Sequence, residues 1–177
     1  MSHPTTAAPA TLLVVGGLPA TGKSTIAALL ARQVRAVHLR IDAIEQAIVE
    51  ASTLTQPLGA VGYVVAQAIA AGQLANGLTV VADCVNPLAV TRGAWHEVGA
   101  RHATRTLDVE VVCSDAGEHR RRAETRHSSI PGLMLPTWRD IQEREYEPWD
   151  DPGVIVIDTA TATAEECVRE IRRRAGI

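Results

Sequence analysis

The chain has 177 residues, 46% of them hydrophobic and 21% charged, with a formal net charge of −3. That size and balance describe one domain with a proper core, exclude a disordered chain, and disfavour a nucleic-acid partner because there is no basic excess to recruit one. Cys84, Cys113 and Cys167 fall in no metal-binding spacing, which suits reduced thiols in a cytoplasmic protein, and no apolar run reaches the ~20 residues of a membrane span.

Residues 1–10 lack the charged start and apolar centre of a signal peptide and are expected as a short tail before a domain over 11–177. Residues 11–15, Thr-Leu-Leu-Val-Val, form an unbroken apolar run ending in Gly16-Gly17, the pattern of a strand buried on both faces. Helical spacing follows over 25–34, a short strand over 37–41, and an amphipathic stretch over 42–51. Residues 52–58 read as loop, and 61–74 as an alanine-rich buried helix. A third strand, 78–82, ends at Asp83; 88–100 is helical, 107–113 a fourth strand, and 117–126 a charged helix. A glycine/proline loop over 128–136 leads to a predicted helix over 138–146, a fifth strand over 154–157 and a closing helix over 164–174. Strands alternating with helices predict a three-layer α/β/α fold on a five-stranded parallel sheet, with the loops that follow strands gathered at one edge.

The chemistry concentrates in those loops. Lys23 is the only lysine, every other cationic side chain being arginine, and it stands inside Gly17-Leu18-Pro19-Ala20-Thr21-Gly22-Lys23-Ser24. An ammonium is a compact charge that reaches between two phosphates, where a planar guanidinium would not fit. Strand, glycine loop and helix make this the Gly-x-x-x-x-Gly-Lys-Ser nucleotide motif of a P-loop NTPase. Loop amides and the helix N-terminus are expected to cradle phosphate oxygens, Lys23 to bridge the β- and γ-phosphates, and Ser24 to coordinate Mg²⁺. Asp42, after the second strand, is expected as a general base, although an aspartate there also suits a helix N-cap. Asp83 is expected to hold Mg²⁺ or bind an acceptor hydroxyl, or else to cap the turn leading to Asn86-Pro87. Asn86 and Arg92 are candidates to read the substrate, with a surface role as the alternative. Arg122 and Arg126, one helical turn apart, are expected to clamp transferring phosphate, with the loop behind them acting as a lid over about 117–137. Trp138, Tyr146 and Trp149 are expected to pack together as a small cap or to stack on a base. His38 reads as core and His119 as surface.

These segments resemble the small P-loop kinases often labelled AAA-family ATPase-like, grouped with the adenylate-kinase-like phosphotransferases. Gluconate and shikimate kinases, polynucleotide kinase domains, zeta-toxin-type kinases and chloramphenicol phosphotransferase belong there. The likeness is carried by residues 17–25, by Arg-Ile-Asp-Ala-Ile-Glu-Gln-Ala-Ile at 40–48 and by Val-Ala-Asp-Cys-Val-Asn-Pro at 81–87. It continues in Cys-Ser-Asp-Ala-Gly-Glu-His-Arg-Arg-Arg with Arg126, and in Pro-Gly-Leu…Pro-Thr-Trp at 131–138. The resemblance implies ATP and Mg²⁺ as cofactors and an arginine-bearing lid. It implies nucleotide contacts from Gly17, Ala20, Thr21, Gly22, Lys23, Ser24, Thr25, Arg122 and Thr159, with Asp42 as base. Polynucleotide kinases often carry arginine three residues after that base; Glu45 stands there instead, which points to a small cationic or hydroxyl-rich acceptor such as an antibiotic, sugar or nucleoside. A polynucleotide 5′-end kinase and a regulatory ATPase that phosphorylates nothing are the alternatives, in a monomer or homodimer.

Overall fold

A run of branched apolar residues with no polar face can only be satisfied in the middle of a sheet covered on both sides. In the computed structural model, which describes residues 10–177, β1 (Thr11–Gly16) is buried along its whole length. It pairs in parallel with β3 (Val80–Asp83) on one side and β4 (Arg105–Val112) on the other. The short β2 (Val37–Arg40) and β5 (Ile155–Asp158) close the edges, giving a parallel sheet of order β2-β3-β1-β4-β5. The helices are α1 (Lys23–Val34), α2 (Ile41–Ala51), α3 (Val61–Ala75), α4 (Ala89–His102), α5 (Ala116–Thr125), α6 (Trp138–Gln142) and α7 (Ala164–Ala175).

The two-residue alternation of β1 divides the core. Leu13 and Val15 face Ile26 and Leu30 of α1 and Val168 and Ile171 of α7, whereas Leu12 and Val14 face Ala66, Ala70 and Leu74 of α3 and Trp95 of α4. Each of those side chains is buried, worth roughly 1.5–3 kcal/mol for a leucine or valine removed from water. The alanines of α3 let that helix approach the sheet closely. Parallel register sets Val15 opposite Asp83 and Asp83 opposite Arg40, so three strands end at one edge.

Two expectations over the second half of the chain need correcting. The helix predicted over 138–146 stops at Gln142, because a fixed anchor competes for the segment behind it. Tyr146 donates its hydroxyl to the buried Glu110 Oε1 at 2.7 Å, and Glu147 N donates to Pro87 O at 2.8 Å, stretching residues 143–154 across the sheet edge as a strap. Trp138, Tyr146 and Trp149 consequently do not form one cap: Trp149 and Tyr146 join the core on the α3 side, and Trp138 stands apart from it. Trp149 is buried over Gly16, where a side chain would occupy the indole's place; Trp138 packs edge-on against His119; Tyr146 serves Glu110. The third strand starts at Val80, two residues late, with Leu78 half-exposed. The expected tail lies mostly outside the described residues.

Candidate active site

The strand ends open into a cleft of about 1690 Å³. Ligand pockets for one small molecule run to roughly 300–1,000 Å³, so this cleft has room for two. Its floor is the loop between β1 and α1. Gly22 caps α1 in the left-handed region at φ 95°, and Gly17 takes φ 139° with its backbone pressed so close to the Val111 carbonyl that any side chain would collide with it. Ala20 takes φ 68°, a left-handed turn unusual for a residue with a side chain. The loop is held from outside as well: Thr21 Oγ1 donates to Leu18 O at 2.9 Å, and His119 Nε2 donates to Pro19 O at 2.8 Å. His119 is thereby buried, against the surface position expected of it, because α5 crosses directly over the loop.

Lys23 opens α1 and is buried, its ammonium within electrostatic reach of Asp83, Asp42 and Arg126. Burial holds its pKa below the usual lysine value, Arg126 pushes the same way, and the two aspartates oppose the shift. A lysine desolvated this far has few reasons to exist without a polyanion to meet it.

Ser24 and Asp83 form the corner expected to hold metal. Ser24 Oγ donates to Asp83 Oδ1 at 3.1 Å, while Asp83 Oδ2 is buried with no hydrogen-bond partner. Hard oxygen donors with one carboxylate oxygen unsatisfied fit Mg²⁺, which keeps most of its waters and takes one or two protein ligands. No group of three or more His, Cys, Asp or Glu side chains among the described residues could encage a metal. Asp83 therefore does not cap the following turn.

Arg122 of α5 donates through Nη1 to Thr159 Oγ1 at 2.9 Å and through Nη2 to Thr159 O at 2.8 Å, and Thr159 Oγ1 donates to Thr21 O at 2.7 Å. The α5 arginine, the end of β5 and the phosphate loop are thus one bonded unit. Glu118 anchors the other side of Arg122 and is held down to about 2 by hydrogen bonds from Arg121 and Arg122. Arg126 follows α5 with Nε and one terminal nitrogen buried and without hydrogen bonds. Burial lowers its pKa, Arg40 adds to that, and Asp42 opposes it.

Asp42 sits inside the first turn of α2, not at its cap, which Arg40 occupies. It lines the same cleft as the phosphate loop, together with Glu45, Gln46, Tyr63, Leu133 and Arg144. Glu45 is held above the usual carboxylate range, chiefly by burial and then by Asp42. Asn86 and Arg92 lie outside the cleft. Asn86 is fully buried, with its backbone N donating to Tyr63 Oη at 2.9 Å; Arg92 is buried against the strap, donating to Glu147 O at 3.2 Å and stacking on Trp149 at 5.5 Å. Neither is placed to read a ligand in the cleft. His38 is half-exposed in the cleft wall, not core, and stands with Arg40 beside Asp83. The signal for those two was their spacing: alternate residues of a strand share a face.

Fold and site together define a P-loop NTPase of the three-layer, kinase-like kind. Residues 12–134 match the model of an AAA domain family, and the chain belongs to that family. No curated protein matches the chain. Similar solved structures include a candidate kinase of Chloroflexus aurantiacus, at 19% identity and a TM-score of 0.72 over 97% of this chain and 98% of that one. A gluconokinase of Sinorhizobium meliloti matches at 19% identity and a TM-score of 0.64, over 95% and 92% of the two chains. The Mycobacterium tuberculosis APS kinase CysC, in complex with AMPPNP and APS, matches at 17% identity and a TM-score of 0.64, over 96% and 99%. At these identities the likeness is one of fold. Among the described residues no helix is long and apolar enough to cross a membrane.

Proposed function

We propose that the protein is an ATP- and Mg²⁺-dependent kinase that moves the γ-phosphoryl group to a hydroxyl of a small molecule. The observation that carries this reading is the place of Asp42, which shares with the phosphate loop one cleft of about 1690 Å³, large enough for an acceptor beside the nucleotide. A nucleotide switch needs no such spare room, and no carboxylate facing it. In this reading Lys23 and the loop amides hold the triphosphate, and Arg122 and Thr159 border the nucleotide. Ser24 and Asp83 would hold Mg²⁺, whose contribution when bound is to neutralise charge between the β- and γ-phosphates. Asp42 accepts the acceptor's hydroxyl proton as that oxygen bonds to the γ-phosphorus and the bond to the ADP oxygen breaks. Arg126, short of hydrogen-bond partners, meets the charge spreading over the transferring group. The acceptor half mixes Glu45 and Asp140 with Arg144, so it offers a polynucleotide no continuous positive track. The similar folds of a gluconokinase and an APS kinase support a small acceptor.

The test is transfer from γ-labelled ATP to a panel of sugars, nucleosides and hydroxyl-bearing antibiotics, in wild type and Asp42→Asn. The expected result is label on one acceptor class, with ATP affinity nearly unchanged in Asp42→Asn and transfer reduced by about 10²–10⁴-fold. ATP hydrolysis that ignores every acceptor and runs equally in the variant would instead establish the switch.

A further inference from the structure

Three buried polar atoms converge at one point without forming a hydrogen bond: Asp83 Oδ2, His38 Nε2 and Arg40 Nε. His38 Nε2 stands 3.4 Å from Oδ2 and Arg40 Nε 3.9 Å. These are ion-pair distances with poor hydrogen-bond geometry, a loose arrangement around an oxygen that already lacks a partner. Arg40 is also committed elsewhere. Nη2 lies 3.6 Å from Asp42 Oδ2, and Nη1 donates to Ser129 Oγ at 3.0 Å, in the loop that joins α5 to α6. One guanidinium therefore touches the carboxylate of the metal corner, the carboxylate proposed as base, and the lid loop.

We infer that Arg40 is the resident counter-ion of Asp83, which a divalent cation at Ser24 and Asp83 displaces, and that its bond to Ser129 passes metal occupancy to the loop over 126–137. The inference rests on the kinase reading only in needing Mg²⁺ and nucleotide at that corner. The physical chain is short. A guanidinium cannot lose its proton at any accessible pH, so it cannot relieve a nearby Mg²⁺ by neutralising and has to move. Its stem is fixed at the end of β2, opposite Asp83 in the sheet register, so the movement available is a swing of the fork. Asp42 and Ser129 are the partners that remain. Arg126, itself under-bonded in the same cleft, repels it from the third side. Arg40 is thus a positioning residue: it fixes Asp42 and the loop when the metal arrives and keeps Asp83 from standing as a bare buried anion before then.

The experiment follows the thermal midpoint of the full chain with saturating AMPPNP as free Mg²⁺ is raised, in wild type, Arg40→Gln, Arg40→Lys and Ser129→Ala. Removing a competing permanent charge within 4 Å of Asp83 should lower the half-saturating Mg²⁺ concentration about tenfold in Arg40→Gln, in which His38 remains beside Oδ2. Arg40→Lys, retaining the charge, should stay near wild type, which separates this role from a merely structural one. Ser129→Ala should titrate with Mg²⁺ as wild type does. In chymotrypsin digests cut after Leu133, it should lose the difference between AMPPNP and Mg²⁺·AMPPNP, as should Arg40→Gln, which lacks the same bond. An unchanged Mg²⁺ midpoint in Arg40→Gln overturns the counter-ion role, and Mg²⁺-dependent protection persisting in Ser129→Ala overturns the link to the loop. If AMPPNP shifts no wild-type midpoint at any Mg²⁺ concentration, the nucleotide site itself fails and this inference falls with it. A shift in wild type without phosphoryl transfer to any acceptor refutes the kinase reading and leaves the Arg40 result to stand or fall by its own midpoints.

Discussion

Thr159→Val isolates the bond network that ties the phosphate loop to α5. Valine matches threonine in shape, so the change removes one hydroxyl and opens no cavity. Thr159 and Thr21 are both buried, and the hydroxyl is donor to Thr21 O and acceptor from Arg122 Nη1. Losing the donor strands a buried carbonyl, for which about 1–3 kcal/mol is typical. Losing the acceptor contributes less, since the Arg122 side chain is 27% exposed, keeps Glu118, and still reaches Thr159 O. Together these give about 2 kcal/mol of stability, or roughly 4–8 °C in Tm for a domain of this size. The same loosening frees the loop that must be ordered around phosphate, so ATP affinity should fall about tenfold alongside. Calorimetric unfolding and ATP titration of Thr159→Val against Thr159→Ser check both quantities, the serine keeping the hydroxyl and most of the stability. A valine variant that unfolds within 1 °C of wild type and binds ATP equally well would show that this network carries no energy.

Other consequences follow from the buried ionisable groups. Lys23 has its pKa held below 10.5 in the fold, so between the depressed value and 10.5 the unfolded chain binds the extra proton and stability gains with rising pH. Lys23→Met should lack that gain when its pH–stability curve is subtracted from wild type, and should give no heat with any purine nucleotide; a difference flat with pH would refute the depressed pKa. Because Lys23 is the only lysine, an acylating ATP analogue should modify one side-chain amine, with ATP protecting it, and label confined to the N-terminal amine would contradict the site. Cys84 and Cys167 are buried, and burial pushes both thiols above their ordinary pKa, whereas Cys113 is partly exposed. A disulfide reagent under native conditions should therefore consume one thiol quickly and the other two only on unfolding, the fast phase vanishing in Cys113→Ser.

How far the chain could be read without coordinates depended on how local each feature was. The phosphate loop is eight consecutive residues whose glycines answer to their own backbone angles, and the sheet follows from apolar runs bounded by turns, so both were plain. Features that need two distant segments to cross were not. His119 looks like one more polar residue of a charged helix until α5 is laid over Pro19. Arg92 looks like a substrate reader until the strap delivers the carbonyls of Glu147 and Pro148 to it. The strap also explains why the helix after Trp138 is cut short: local propensity favoured continuing it, and the Tyr146–Glu110 bond gave more.

Arg40 and His38 show the same limit from the other side. Their period-two spacing was visible, but in an isolated β2 it predicts only a polar face on an edge strand, which is the commonest reason for polar residues there. What turns that face into part of the site is register. With β2 shifted by one residue against β3, Arg40 would no longer stand opposite Asp83, and His38 and Arg40 would turn to the other face of the sheet. Register here is set by Val37 and Leu39 packing on the α3 side of the core, residues that take no part in the chemistry. The core side of a four-residue strand thus decides where the charges of its open side fall, so the corner proposed to hold Mg²⁺ is specified by apolar residues as much as by Ser24 and Asp83.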